Sequence, residues 1–366
     1  MRIGIDLTWQ GSQPAGVGTM VGEVLQELAS RREIELVVFV KQGVLPQKEY
    51  GHVVEVSLGV GKHLNLYWSI KQARLDVLWQ VGDWLPLLLP RDLRTIQTVH
   101  DLISVEHPEW FPQTGVSRWW SWNMRVKHAI RGATVVHAIS TWTAGCILRS
   151  FPEVKDRVVM AYQGVRTPEK IQKTLSNGIH YPFVLILGTI EPRKNIPFAC
   201  QSFLQFAQEY PEPHLVIAGK EGWKSGASIE AICALQQALP GRVHVRSYVT
   251  DEEKWTLLQE ASALLMMSHA EGFGRPVIEA MSVGTPVIAS ANSALQEITE
   301  DAGVLVPPGD LQKTARALWR VLYHPLLTDR LIPLGLDRAR CFLTSQMADQ
   351  VMVRLKVDLI NNKTTS

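Results

Sequence analysis

Short apolar runs alternate with amphipathic segments along the whole chain. RIGIDL (2–7), ELVVFV (35–40), DVLWQ (76–80), TIQTVH (95–100) and TVVHAIS (134–140) are strand-like in the first half. FVLILGT (183–189), HLVIAG (214–219), RVHVRSY (242–248), ALLMMSH (263–269) and TPVIAS (285–290) repeat the pattern in the second. Segments such as 18–31 and 251–263 lie between them with helical periodicity. Near-continuous apolar strands alternating with helices predict parallel sheets covered on both faces. The chain therefore reads as α/β, with two Rossmann-like, doubly wound units.

The join falls near 165–180, a polar stretch containing glycine and proline with no strong apolar period. The predicted domains are 1–170 and 171–340, with a helix-like tail at 341–366 ending in polar residues. Composition adds limits. The chain has 366 residues, 46% hydrophobic and 20% charged, so it is a folded chain long enough for two cores. A formal net charge of +2 gives no ground for a nucleic-acid partner. The four cysteines, Cys146, Cys200, Cys233 and Cys341, lie far apart without metal-ligand spacing and read as ordinary buried residues of a reducing cytosol. The N-terminus lacks the basic region and apolar run of a signal peptide, and no 18-residue apolar window occurs, so a cytoplasmic protein is expected.

The most constrained segment is HAEGFGRPVIEAMSVGTPVIAS, 269–290. It follows the strand-like ALLMMS, so its loop lies at a strand's carboxyl end, where open α/β sheets bind ligands. Pro276 suits the first helical position and Gly284 the C-terminal cap. The glycines let backbone N–H groups approach a ligand closely, and a helix N-terminus favours phosphate. Glu279 stands one turn into the helix, where a carboxylate can accept hydrogen bonds from two hydroxyls. A second constellation, LILGTIEPRKN (185–195), ends a buried strand in a turn with Arg193 and Lys194 adjacent. Two cations there suit a diphosphate, and Asn195 can cap the helix that follows. His100 ends another strand; an imidazole there has two readings, a satisfied structural histidine or a group that stabilises charge as a bond breaks.

QPAGVGTMVGE (13–23) puts Gly16 and Gly18 ahead of a helix, but the spacing is not G-x-G-x-x-G and no acidic residue closes the next strand. A nicotinamide-dependent enzyme is therefore disfavoured. Residues 117–131, SRWWSWNMRVKHAIR, also have two readings. Trp119, Trp122 and Val126 follow helical spacing toward a core. Arg118, Trp120, Arg125, Lys127 and Arg131 could instead form a basic aromatic face for anionic lipid headgroups, a peripheral membrane contact.

The E-x7-E pair with GFG between, followed by P-x-x-E-A-M-x-x-G-x-P-V-I-A-S, resembles the donor motif of retaining glycosyltransferases of family 4. GT-x-E-P-R-K-N and HDL…HPEWFP resemble their mannosyltransferase-like branch. The resemblance covers most of the chain. It implies a GT-B fold, two Rossmann-like domains facing across a cleft, with the C-terminal helix crossing back onto the first. It implies that Glu271 contacts the donor sugar, that the backbone of Gly272, Phe273 and Gly274 reaches sugar and diphosphate, and that Glu279 holds the ribose. Arg193 and Lys194 would neutralise the leaving diphosphate, and His100 would line the reaction centre; His107 is read as structural. Gly219 and the backbone near Val249 would lie beside donor phosphate and base, and the loop of Gly16 and Gly18 near diphosphate and acceptor. Two departures stand out: many members place the arginine nearer Thr189, and Ser247 occupies a place that is often glycine. The expected activity is retaining transfer of a hexose from a nucleoside diphosphate sugar, GDP-mannose first, to a hydroxyl of a glycan or lipid-linked acceptor. No cofactor or metal is expected, and no Asp-x-Asp motif is present. A non-catalytic nucleotide-sugar-binding subunit and a sugar-nucleotide epimerase of the same fold are the alternatives.

Overall fold

A computed structural model describes residues 1–9, 16–43, 50–57, 61–82, 85–112, 116–168 and 181–363, without the side chains of 16, 116–123 and 356–363. The loop 10–15, most of the predicted join and the side chains of Arg118, Trp119, Trp120 and Trp122 lie outside the described residues. By its internal contacts the chain forms two compact units: Met1–Leu102, Thr114–Arg166 and Leu343–Ser366 in the first, Ile103–Gln113 and Thr167–Phe342 in the second. The segment Ile103–Gln113 thus groups with the second unit, although 1–170 reads as one domain in the sequence. The reason is local: the Trp110 ring stacks on His269, and its carbonyl accepts a hydrogen bond from Trp223.

The first unit holds β1 (Arg2–Asp6), β2 (Glu35–Lys41), β3 (His52–Val56), β4 (Val77–Gln80), β5 (Arg94–Val99), β6 (Val135–Ala138) and β7 (Val158–Met160). They form one parallel sheet in the order β3-β2-β1-β4-β5-β6-β7. The chain reverses direction of build between β1 and β4, the place where such sheets open a crevice at their carboxyl ends. The helix Thr344–Lys363 packs in this unit: Arg31 donates to Asp349 at 2.6 Å and to the Ser345 carbonyl at 3.1 Å, while Met347, Val351 and Leu355 are buried. The helix Gly16–Ala29 starts at Gly16, so Gly16 and Gly18 lie in its first turn and not ahead of it.

The second unit holds β8 (Phe183–Leu187), β9 (His214–Ala218), β10 (Val243–Arg246), β11 (Ala263–Met266), β12 (Val287–Ser290) and β13 (Val304–Val306). This sheet is also parallel, in the order β10-β9-β8-β11-β12-β13, with its reversal between β8 and β11. Central strands are buried on both faces, as VLWQ, HLVIA and ALLM show, and the apolar side chains of β8, β9 and β11 join Phe203 and Phe206 in one core. Of the cysteines, Cys146 and Cys200 are buried, whereas Cys233 and Cys341 are exposed, against the expectation for those two.

A buried polar chain crosses the first sheet. Trp79 Nε1–H donates to Thr98 Oγ1 (3.0 Å), the Thr98 hydroxyl donates to His137 Nδ1 (3.1 Å), and His137 Nε2–H donates to the Ala161 carbonyl (2.9 Å). This order fixes the neutral tautomer, and burial pushes the His137 pKa down to about 4. The unfolded histidine titrates near 6.5. The stability His137 contributes is therefore complete above about pH 6.5 and lost as pH falls toward about 4, by up to about 3 kcal/mol. His214 and His244, joined ring to ring at 2.8 Å and both shifted down by burial, act in the same direction. Urea unfolding at pH 7.5 and 5 should show the loss, with a shallower slope in His137→Gln; equal midpoints at the two pH values would contradict it.

Candidate functional site

The loops after β8, β9 and β11 converge at the carboxyl edge of the second sheet, where both sequence constellations lie. Glu271, in the loop after β11, is buried, with 5% of its surface exposed. Lys194 Nζ donates to its Oε1 at 2.7 Å, Ser268 Oγ donates to the same oxygen at 2.8 Å, and Arg193 Nη1 donates to Oε2. Burial alone would raise its pKa; the adjacent Arg193 and Lys194 charges and the Lys194 and Ser268 hydrogen bonds outweigh that and hold it at about 2. The backbone of Glu271 is fixed as well: its N–H donates to Ser293 Oγ (3.0 Å) and its carbonyl accepts from Ala294 (3.2 Å).

Arg193 has a second carboxylate partner. Its Nε lies beside Oε1 of buried Glu191, whose pKa is raised by burial and only partly brought back by Arg193 and Lys194. The basic pair sits in a single 3-10 turn, Pro192–Lys194, ahead of the helix Ile196–Glu209. Asn195 stands at the cap position with φ +52°, but its side chain does not cap the helix; it donates to the carbonyl of Met267, the residue after β11, at 3.2 Å. The left-handed backbone takes the side chain away from the helix's first N–H groups, which is why the expected cap fails.

Glu279 lies in the helix Arg275–Ser282 and is 3% exposed. Arg275, four residues earlier, donates from Nε to Oε1 at 2.9 Å, and Lys254 donates to the same oxygen at 3.2 Å. Both glutamates of the E-x7-E pair are thus buried, each against two cations. They are not an acid and base sharing a proton. Gly274 caps this helix with φ +99°, and a Cβ there would come within 2.6 Å of Leu295. Gly284 closes it with φ +82° and an N–H to the Met281 carbonyl (3.1 Å). Gly272 lies in the same loop. Phe273 turns inward and packs edge-on against Phe342 at 5.5 Å, so only its backbone could face a ligand.

Gly219, at the end of β9, is required by a close approach: a Cβ there would stand 1.9 Å from the Gly188 carbonyl oxygen. Val249 lies half-buried in the loop between β10 and the helix Asp251–Glu260, one residue before the Thr250–Glu253 capping box. His100 belongs to the first unit. Its Nε2–H donates to the Val81 carbonyl at 2.7 Å, which leaves Nδ1 as the acceptor nitrogen. Among the described residues no group of three or more His, Cys, Asp or Glu converges as metal ligands would.

Several residues of this arrangement were not singled out in the sequence. Arg275 is readable afterwards as the i−4 partner of Glu279, and Glu191 stands inside EPRKN. Ser268, Asn292, Ser293 and Lys254 carry no local signal, because only the fold brings their loops together. Asn292, for example, donates to the carbonyls of Ser268 (3.1 Å) and His269 (2.9 Å).

Removing one charge should show how much the cluster depends on pairing. Glu271→Gln keeps the shape but leaves Arg193 and Lys194 opposite a neutral amide, and should lower unfolding stability by about 3 kcal/mol. The wild-type contribution should persist as pH falls to about 4.5 and vanish toward about 2. Denaturant unfolding that does not distinguish the variant from wild type at pH 7 would refute this.

The chain is similar to known proteins. Residues 168–335 match the family Glycosyl transferases group 1. The chain is 27% identical over 302 residues to O-antigen chain mannosyltransferase B of Escherichia coli, covering 79% of this chain and 76% of that protein. It is 26% identical to MMP alpha-(1->4)-mannosyltransferase of Mycolicibacterium hassiacum, over 67% of this chain and 60% of that one. Among solved structures, a sucrose-phosphate synthase from Thermosynechococcus elongatus superposes with a TM-score of 0.76 at 20% identity over 99% of both chains. Anabaena HepE in complex with UDP-glucose superposes with a TM-score of 0.73 at 17% identity, over 98% of this chain and 100% of that one.

Proposed function

From a chain whose residues 168–335 are a Glycosyl transferases group 1 domain, a glycosyltransferase of GT-B fold with mannosyltransferase relatives, we propose transfer of a hexosyl group from a nucleoside diphosphate sugar with retention of anomeric configuration. GDP-mannose is the first donor to test, and the acceptor is a hydroxyl of a glycan or lipid-linked glycan, as in surface polysaccharide assembly. The observation that carries the reading is the buried cluster of Glu271 with Arg193 and Lys194 beside a second cation-held carboxylate, Glu279.

In this reading Glu279 accepts hydrogen bonds from the ribose hydroxyls. The backbone of Gly272, Phe273 and Gly274 and the glycine edge at Gly219 face the diphosphate, and the backbone at Val249 meets the base. Gly16 and Gly18, in the first turn of their helix, serve the phosphate and acceptor side. Arg193 and Lys194 exchange part of their pairing with Glu271 for the diphosphate. As the bond to the anomeric carbon breaks, negative charge gathers on the leaving phosphate oxygen. Preplaced cations stabilise that charge without reorganising, which lowers the barrier. The acceptor oxygen approaches from the face the diphosphate leaves, and its proton passes to that phosphate. Glu271 holds the cations in register and orients the sugar; His100 assists near the anomeric centre through its acceptor nitrogen. The side chains supply the positive charge, so the proposed reaction uses no metal or organic cofactor.

Peripheral contact with an anionic membrane is part of the proposal. Among the described residues no helix is long and apolar enough to cross a membrane. The helix Lys62–Ala73 carries no acidic residue, exposes Leu64 and Trp68, and holds Lys71 over the Trp68 ring at 5.0 Å. Leu87, Leu88 and Met124 are exposed in the same unit. An amphipathic basic surface of this kind complements anionic headgroups.

Three measurements test the reading. A donor panel of GDP-mannose, UDP-glucose and a dTDP-hexose should contain one member that raises the melting temperature and is slowly hydrolysed; no response to any member would overturn the proposal. Glu279→Ala should weaken that donor's binding at least tenfold, and Lys194→Ala should lower turnover about a hundredfold. Co-sedimentation with anionic but not zwitterionic phospholipid vesicles, reduced in the Leu64→Ser/Trp68→Ser variant, checks the membrane contact.

A further inference from the structure

A stack of three rings ends on the loop that carries Glu271. His107 lies against Trp110 with centroids 4.1 Å apart and planes 12° from parallel, and Trp110 lies against His269 at 5.4 Å and 22°. The stack is anchored at its centre. The Trp110 carbonyl accepts from Trp223 Nε1 (2.9 Å), the neighbouring Glu109 carbonyl accepts from Lys224 Nζ (2.7 Å), and the Phe111 ring stacks on Trp223 at 5.6 Å. His107 is braced by Glu109 at 3.0 Å.

His269 itself is held by its backbone. Its N–H donates to the Arg193 carbonyl (2.8 Å), and its carbonyl accepts from Asn292 (2.9 Å). Its ring is exposed, and no described residue engages either ring nitrogen. The other polar side chains of this loop are occupied: Ser268 and Glu271 with each other and the basic pair, Arg275 with Glu279. Partial burial under the Trp110 ring and the nearby His107 charge push the His269 pKa below the ordinary histidine value, which favours the neutral ring. A neutral imidazole offers one N–H donor and one acceptor nitrogen, which suits a hydroxyl. A phosphate would be better met by the cations Arg193 and Lys194 close by.

We propose that His269 is a further binding residue, whose imidazole hydrogen-bonds a hydroxyl of the sugar being transferred, and that Trp110 is the residue that positions it. This rests on the reading of the Glu271 loop as the sugar end of the donor site. Glu271 already accepts from Arg193, Lys194 and Ser268, and His269, two residues away, adds a second polar group on the same loop. The assignment makes residues 107–110, which the chain supplies from its N-terminal half, a determinant of which hexose is accepted.

The test compares two replacements in the full chain. His269→Phe keeps a ring for the stack and removes both nitrogens; His269→Gln keeps a donor and an acceptor. With whichever of GDP-mannose, UDP-glucose or a dTDP-hexose the wild type turns over, His269→Phe should lower kcat/KM about tenfold at unchanged melting temperature, and His269→Gln should stay within about threefold of wild type. A monodeoxy form of that donor, lacking the contacted hydroxyl, should erase the difference between wild type and His269→Phe. Trp110→Ala should reproduce the loss seen in His269→Phe, and Trp110→Phe should restore most of it. Wild-type kcat/KM in His269→Phe overturns this inference alone, as does a variant-to-wild-type ratio that no monodeoxy donor changes. A wild type that turns over none of the three donors overturns the functional reading beneath it.

Discussion

The second unit is organised around buried negative charge that cannot stand alone. A carboxylate taken out of water is costly unless cations and hydrogen bonds replace its solvation. Glu271 meets that requirement with Arg193, Lys194 and Ser268, and Glu279 with Arg275 and Lys254. The geometry of four loops follows from these contacts. The turn Pro192–Lys194 must come to the loop after β11, the helix Asp251–Glu260 must present Lys254 to the helix Arg275–Ser282, and Ser293 must reach back to the Glu271 N–H. Each requirement fixes a loop at the carboxyl edge of the sheet.

The strands that the apolar pattern predicts are the ones whose both faces are covered. β1, β2, β4, β5, β6, β8, β9, β11 and β12 were legible for that reason, and β10 through its alternation. The pattern missed β3, β7 and β13, which are the outermost strands of their sheets. His52–Val56 is half exposed, and Val158–Met160 and Val304–Val306 are three residues long, so little apolar signal marks them. They form because a neighbouring strand offers unpaired backbone groups, which is information held by the partner and not by the segment itself.

The site divided in the same way. The glycines and proline around Glu271 and Glu279 were readable because backbone conformation demands them locally: Gly274 and Gly284 do have positive φ, and Pro276 lies in the helix's first turn, as its second residue and not its first. The state of the carboxylates was not readable. Nothing in HAEGFGRPVIE says that Glu271 meets a lysine 77 positions earlier, or that Lys254 faces Glu279 across 25 positions. Spacing marked where ionisable groups lie, and the fold decided which charges they meet. His269 shows this most clearly, since its neighbours in sequence give no hint of Trp110.

The chain's course through its two units bears on how such proteins can be recombined. A single cut after Arg166 separates most of one unit from most of the other, but it would leave both Ile103–Gln113 and Leu343–Ser366 on the wrong fragment. The second half expressed by itself would lack the indole against His269 and the carbonyls that receive Trp223 and Lys224. A hybrid that joins the front of one homologue to the back of another would set one parent's Trp110 segment against the other's loops. Moving the second unit intact between relatives therefore requires two non-contiguous pieces to travel together, residues 167–342 and the eleven residues from 103 to 113.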